Sequence, residues 1–128
     1  MSGIEIRDAH FPGRAPIEAY GNNGFRFAGM SHRGSILCLP SGVYGWQPAD
    51  PRKLTAADFA PILSEVEEIE ILLVGTGMDL SPLSADARAA FREKGISADP
   101  MSTGAAVRTY NVLLAEDRAV AAALVAVG

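Results

Sequence analysis

Ile69-Glu70-Ile71-Leu72-Leu73-Val74-Gly75-Thr76-Gly77 is the stretch that decides the fold class. From Ile71 to Val74 the residues are continuously apolar rather than alternating, which is how a strand buried on both faces reads. Two buried faces need a layer on either side of the sheet, and helices supply such layers. Helical patterns flank the run. Downstream, Ser84 is placed to cap a helix that continues to about Lys94. Ala87, Ala90 and Phe91 share its inward face, Arg92 and Lys94 suit its negative end, and Gly95 suits a left-handed stop. Residues 96–101 predict a short strand. Residues 103–116 predict another helix, with an apolar stripe of Ala106, Val107, Tyr110, Leu113 and Leu114. Upstream, Thr55-Ala56-Ala57-Asp58 carries the hydroxyl and the acid of a helix start, and Phe59, Ile62, Leu63 and Val66 follow at helical spacing. Pro61 leaves two alternatives: a regular helix that begins near Asp58, or a helix kinked at the proline.

The first third has a different texture. Short segments at 17–20, 25–28, 35–39 and 43–46 combine β-branched and aromatic residues, and turn signals separate them. Asn22-Asn23-Gly24 suits positive φ and a tight hairpin, as does Arg33-Gly34, while Pro40, Pro48 and Pro51 punctuate the rest. The last apolar segment, 118–127, is open to two readings. Its alanines favour helix, but the alternation Val120-Ala122-Leu124-Ala126 equally fits a strand. The order is therefore a β-rich third, then helix, strand, helix, strand, helix and a final apolar segment. That is an α/β layered domain with a sheet mixing parallel and antiparallel strands.

At 128 residues the chain fits one domain, 1–128, and can bury roughly 65–70% of its unfolded surface without a disulfide or metal. Its formal net charge is −4, which argues against sequence-independent binding to nucleic acid or docking on an anionic membrane. The longest apolar run, 119–127, is far short of the roughly 20 residues needed to cross a bilayer. The start, Met1-Ser2-Gly3-Ile4-Glu5, lacks the apolar segment of a secretory signal, and the single cysteine, Cys38, suits a reducing compartment. The cytoplasm is the expected location. Cys38 sits in the apolar run Ile36-Leu37-Cys38-Leu39 and reads as a buried, inert thiol.

Two local features could carry chemistry. Gly75-Thr76-Gly77 follows the buried strand, and ligands of open α/β sheets gather beyond such carboxyl ends. The dinucleotide pattern is incomplete, however, since Met78-Asp79-Leu80-Ser81-Pro82 follows instead of a glycine-opened helix, and no phosphate-loop lysine is present. The segment reads equally as a sharp turn and as a ligand-facing loop. The second feature is Ser102 to Asn111. A helix opening at Ser102 or Thr103 offers free N–H groups to an anion, and Arg108 and Asn111 share a side of it away from the apolar stripe. Arg108 could clamp a carboxylate or phosphate. The plainer reading is an arginine paired with an acid and an asparagine tying a loop to the helix. The candidate ligand-binding set is thus Gly75, Thr76, Gly77, Thr103, Arg108 and Asn111. His10 and His32 are isolated in sequence, one cysteine cannot build a zinc site, and no serine sits in Gly-x-Ser-x-Gly. No metal, cofactor or catalytic residue is expected. Asp58, Glu65, Glu67, Glu68 and Glu70 read as solvated surface charges, and Trp46 as core or as an exposed anchor for a partner.

Several segments occur together in an order that carries a resemblance. They are Gly24-Phe25-Arg26-Phe27, Gly34-Ser35-Ile36-Leu37, Val43-Tyr44-Gly45-Trp46, Leu54-Thr55 with Asp58-Phe59, Leu73-Val74-Gly75-Thr76-Gly77, and Thr103 with Arg108 to Arg118. The chain resembles the Mth-type domain family, which includes a mitochondrial respiratory complex I assembly factor and the adipogenesis-associated Mth-type protein. The resemblance implies a three-layer β+α/β/α domain around a mixed central sheet, and it makes the last apolar segment a strand. It implies no established enzymatic activity, cofactor or catalytic residue. Members of that family commonly carry a cysteine before Arg-Thr-Tyr-Asn, where this chain has Val107. A thiol chemistry shared by the whole family at that position is therefore not expected. The two functional expectations are a binding or assembly protein with a protein partner, and an enzyme or sensor for a small anionic metabolite.

Overall fold

The computed structural model describes residues 10–128, so the reading of Met1 to Glu5 lies outside the described residues. Chain order gives β1 (Ile17–Gly21), β2 (Gly24–Phe27), β3 (Met30–Arg33), β4 (Ser35–Leu39) and β5 (Gly42–Trp46). These are followed by α1 (Ala60–Leu63), β6 (Ile71–Gly75), α2 (Ala85–Lys94), β7 (Ser97–Met101), α3 (Thr103–Ala115) and β8 (Val120–Leu124). The central sheet has the order β5-β4-β8-β6-β7, and β1-β2-β3 form a separate antiparallel sheet. The central sheet is mixed. β6 runs parallel to both β7 and β8, whereas β4 pairs antiparallel with β8 and with β5. Among the described strands β7 lies at an edge, a position where the missing N–H of Pro100 is tolerated.

The apolar residues of each central strand divide between two cores, one on each face of the sheet. Leu37, Leu72, Val74, Ala121 and Ala123 meet Phe59 and Ile62 on one side, together with Ala87 and Phe91 of α2. Trp46 belongs to this core: its ring packs 5.6 Å from that of Phe59, which lies 5.1 Å from Phe91. Its indole N–H donates to the Asp58 carbonyl at 2.9 Å, so the polar end is satisfied although the ring is buried. On the other face Ile36, Cys38, Leu73, Ala122 and Leu124 meet Ala106, Val107 and Tyr110 of α3, with Phe25 and Phe27 of the smaller sheet. The result is the three-layer β+α/β/α arrangement implied by the resemblance.

The predicted boundaries hold where the local chemistry is decisive. Ser84 accepts the Ala87 N–H at 3.3 Å, Gly95 takes the left-handed conformation at φ 77°, and Ser102 caps α3 through the Ala105 N–H. The ambiguous last segment is a strand. Every residue of β8 is buried, and strands lie on both sides of it. Around Pro61 the predicted helix is shorter than its apolar spacing suggests: α1 has four residues, and Val66–Glu68 is a 3₁₀ turn instead of its continuation. Ala56–Phe59 makes a 3₁₀ turn capped at Thr55, whose N–H the Asp58 carboxylate accepts at 2.9 Å, and α1 then starts at Ala60 with Pro61 in its permissive first turn. In the first third the sequence predicts four strands, and among the described residues the structure has five. The unpredicted one, β3, reads Met-Ser-His-Arg, and three of its four residues are exposed at the edge of the small sheet, so no apolar alternation marks it. The turn before it is formed by Ala28 and Gly29 at φ 50° and 72°, and alanine is a poor signal for that conformation.

Ala122 of β8 lies between Cys38 and Leu73 with no solvent exposure. Ala122→Leu should therefore overpack the α3-facing core. The expected loss is about 1–3 kcal/mol, read as a lower midpoint with an unchanged slope in urea unfolding.

Candidate functional site

The carboxyl end of β6 meets the amino end of α3 at very short range. A Cβ on Gly75 would lie 2.9 Å from Thr103 Cα and 3.0 Å from Thr103 Oγ1, so only glycine permits this approach. Thr103 is fully buried, and its groups are committed to this seam. Its hydroxyl donates to the Val125 carbonyl at 2.7 Å and accepts the Gly77 N–H at 3.0 Å, while its own N–H donates to the Gly77 carbonyl at 2.8 Å. Thr76 works in the same way. Its N–H donates to the Met101 carbonyl, and its hydroxyl donates to Asp79 at 2.8 Å and accepts the Ser81 N–H at 2.8 Å. Gly75, Thr76, Gly77 and Thr103 thus converge, and their polar atoms bind one another and their neighbours.

Arg108 and Asn111 face the small sheet instead. Asn111 reads the main chain of Ile17 from both sides: its Oδ1 accepts the N–H at 2.8 Å and its Nδ2 donates to the carbonyl at 2.9 Å. The side chain replaces a neighbouring strand for β1. Tyr110 adds a hydrogen bond from its hydroxyl to the Ala15 carbonyl at 3.3 Å. Arg108 is exposed and reaches back along α3 to Gly104. A Cβ on Gly104 would collide with the Tyr20 hydroxyl and lie 3.6 Å from Arg108 Nη1. The six candidate residues therefore fall into two groups. One is the seam at the end of β6, and the other is the contact of α3 with β1.

Other features lie outside the candidate set. Met78 and Leu80, in the loop tied down by Thr76, are 75% and 59% exposed. Large apolar residues between Gly77 and Ser81-Pro82, where turn chemistry expects polar ones, are the signal that could have marked them. A shallow concavity of about 740 Å³ lies over the small sheet, with Arg26 and Arg33 among its lining residues. His10 and His32, isolated in sequence, are brought into contact, with ring centres 4.6 Å apart. Partial burial, then the neighbouring His10, hold the His32 imidazole below its ordinary pKa. Cys38 is buried, and desolvation pushes its thiol up to about 12, which makes it a poor nucleophile. Among the described residues no helix is long and apolar enough to cross a membrane.

Residues 17–125 match the family described as a protein of unknown function, DUF498/DUF598, and the chain belongs to that family. The chain is 62% identical to a Bartonella henselae outer membrane protein of known structure, with a TM-score of 0.90 over 93% of this chain and 100% of that one. A Bordetella pertussis protein with a Mth938-like domain is 26% identical, with a TM-score of 0.77 over 94% of this chain and 91% of its own. Mouse NADH dehydrogenase [ubiquinone] 1 alpha subcomplex assembly factor 3 is 30% identical over 95% of this chain. The chain spans 66% of the mouse protein's length.

Thr103→Val keeps the shape of the seam but removes the hydroxyl, so the Gly77 N–H and the Val125 carbonyl lose their buried partner. A loss of about 1–3 kcal/mol is expected in chemical unfolding, and Thr103→Ser should recover most of it. His32 sets a pH dependence. A folded pKa below the unfolded value means that the unfolded chain binds the proton more tightly, so stability falls as pH drops through about 6.5. Thermal unfolding between pH 7 and 5 should show that decline, and His32→Gln should flatten it.

Proposed function

We propose that this family member is a binding protein that docks on a protein partner and serves the assembly of a respiratory complex. The observation that carries the reading is the loop after β6. Met78 and Leu80 point into solvent there, and the Thr76 hydroxyl grips both Asp79 and Ser81 beneath them. Exposing two large apolar side chains on a fixed loop gains nothing for the fold, whereas a partner surface that covers them gains their burial without first having to order the loop. The role named for the mouse assembly factor, whose sequence parallels 95% of this chain, supplies the class of process.

The alternative expectation, a small anionic ligand at Gly75, Thr76, Gly77, Thr103, Arg108 and Asn111, draws less support from the geometry. The hydroxyls of Thr76 and Thr103 and the amide of Asn111 already serve main-chain partners. That leaves the exposed Arg108 as the charged group such a ligand would meet. A cytoplasmic location accompanies the docking reading, since Cys38 is kept as a buried free thiol.

The test is complementation. A strain lacking this chain should assemble less NADH dehydrogenase complex, measured on native gels, and the wild-type chain should restore the level. Met78→Asp combined with Leu80→Asp should fold normally, because both side chains are exposed, yet fail to restore it. An undiminished complex in the deletion strain would overturn the assembly role. Full rescue by the double variant would remove the loop from it.

A further inference from the structure

His10 and His32 are 22 positions apart, and the fold seats both against one glycine. His10 is held in place by its main chain: its N–H donates to the Val43 carbonyl at 2.8 Å, and the Val43 N–H donates to the Phe11 carbonyl at 2.9 Å. His32 comes from β3, opposite Phe25 of β2. Both imidazoles lean over Gly45 of β5. The point where a Cβ would stand lies 3.4 Å from His10 Nε2, 3.5 Å from His32 Nε2 and 3.2 Å from His32 Cε1. The ring centres are 4.6 Å apart and the planes are tilted by 42°.

We propose that His10 and His32 form a two-imidazole site for a divalent transition-metal ion over Gly45. Two imidazoles bound to one ion at about 2.1 Å, at right angles or tetrahedrally, place their ring centres roughly 4.5–5.2 Å apart. The observed spacing falls at the right-angle end of that range, and both Nε2 atoms lie within 3.5 Å of the point where a Cβ on Gly45 would stand. Imidazole without thiolate selects copper, nickel or zinc over magnesium or calcium. No cluster of three or more His, Cys, Asp or Glu side chains occurs among the described residues. Water would therefore complete the coordination shell, and the ion would be exchangeable rather than a structural zinc. Binding would also pin residues 10 and 11 across the outer edge of β5, joining the small sheet to the central one through the ion.

The experiment titrates the full chain with Cu²⁺ and records the electron paramagnetic resonance spectrum, with folding followed by Trp46 fluorescence. A one-to-one complex whose spectrum carries two imidazole nitrogens is expected. His10→Ala and His32→Ala should each weaken binding by about tenfold or more and lose one nitrogen. Gly45→Ala keeps both imidazoles but presses a methyl group against each of them, and in its folded form it should weaken binding comparably. Absence of a two-nitrogen complex in the wild type would overturn the proposal. So would undiminished binding by either histidine variant, or by folded Gly45→Ala.

Discussion

The crossing of Gly75 and Thr103 is the constraint on which the rest of the molecule depends. Parallel β6 and β8 need a helix between them, and α3 can lie against the sheet only if its first turn comes close to the end of β6. A side chain at position 75 would forbid that approach. Once the backbones are so near, their polar groups lose access to water, and an unpaired one would be expensive. The Thr103 hydroxyl resolves this by serving the Gly77 N–H and the Val125 carbonyl together. One side chain thereby links the end of β6, the start of α3 and the residue after β8.

The same economy shapes what the surface offers. In many α/β proteins the carboxyl end of a central strand keeps free donors for a ligand. Here the threonines that could have played that part hold the loop from Gly77 to Ser81, and the loop shows methionine and leucine instead of hydrogen-bonding groups. Structural use of the polar atoms and outward display of the apolar ones are two sides of one arrangement. The contact of α3 with β1 repeats the pattern, since Asn111 spends its whole amide on the main chain of Ile17.

Much of the fold was legible because its elements obey local rules. The apolar run before Gly75 announced a strand covered on both faces, and Ser84, Gly95 and Ser102 marked helix ends by their capping chemistry. β8 was ambiguous because alanine fits helix and strand alike, and only its neighbours in the sheet decide between them. β3 was invisible for the opposite reason: it is an exposed edge strand with no apolar face to create a pattern. The candidate site was legible only in outline. The glycines, Thr103 and Asn111 were singled out from sequence, but whether a hydroxyl or amide faces solvent or a backbone carbonyl depends on contacts up to 94 residues away. The meeting of His10 with His32 had no local signal at all, since it follows from the packing of β3 and the N-terminal segment on β5.

The position of β8 bears on how the chain reaches this state. The strand at the centre of the sheet is synthesised after every strand it joins, and among the described residues β8 lies between β4 and β6 in the sheet. On the ribosome, the antiparallel half of the sheet and its parallel half must therefore wait, each with an open side, until residues 120–124 emerge. The waiting edges of β4 and β6 are apolar on both faces, the kind of surface that recruits chaperones or strays into aggregation. Sheet closure is thus a late, long-range event, with the slow formation expected when sequence-distant pairings dominate.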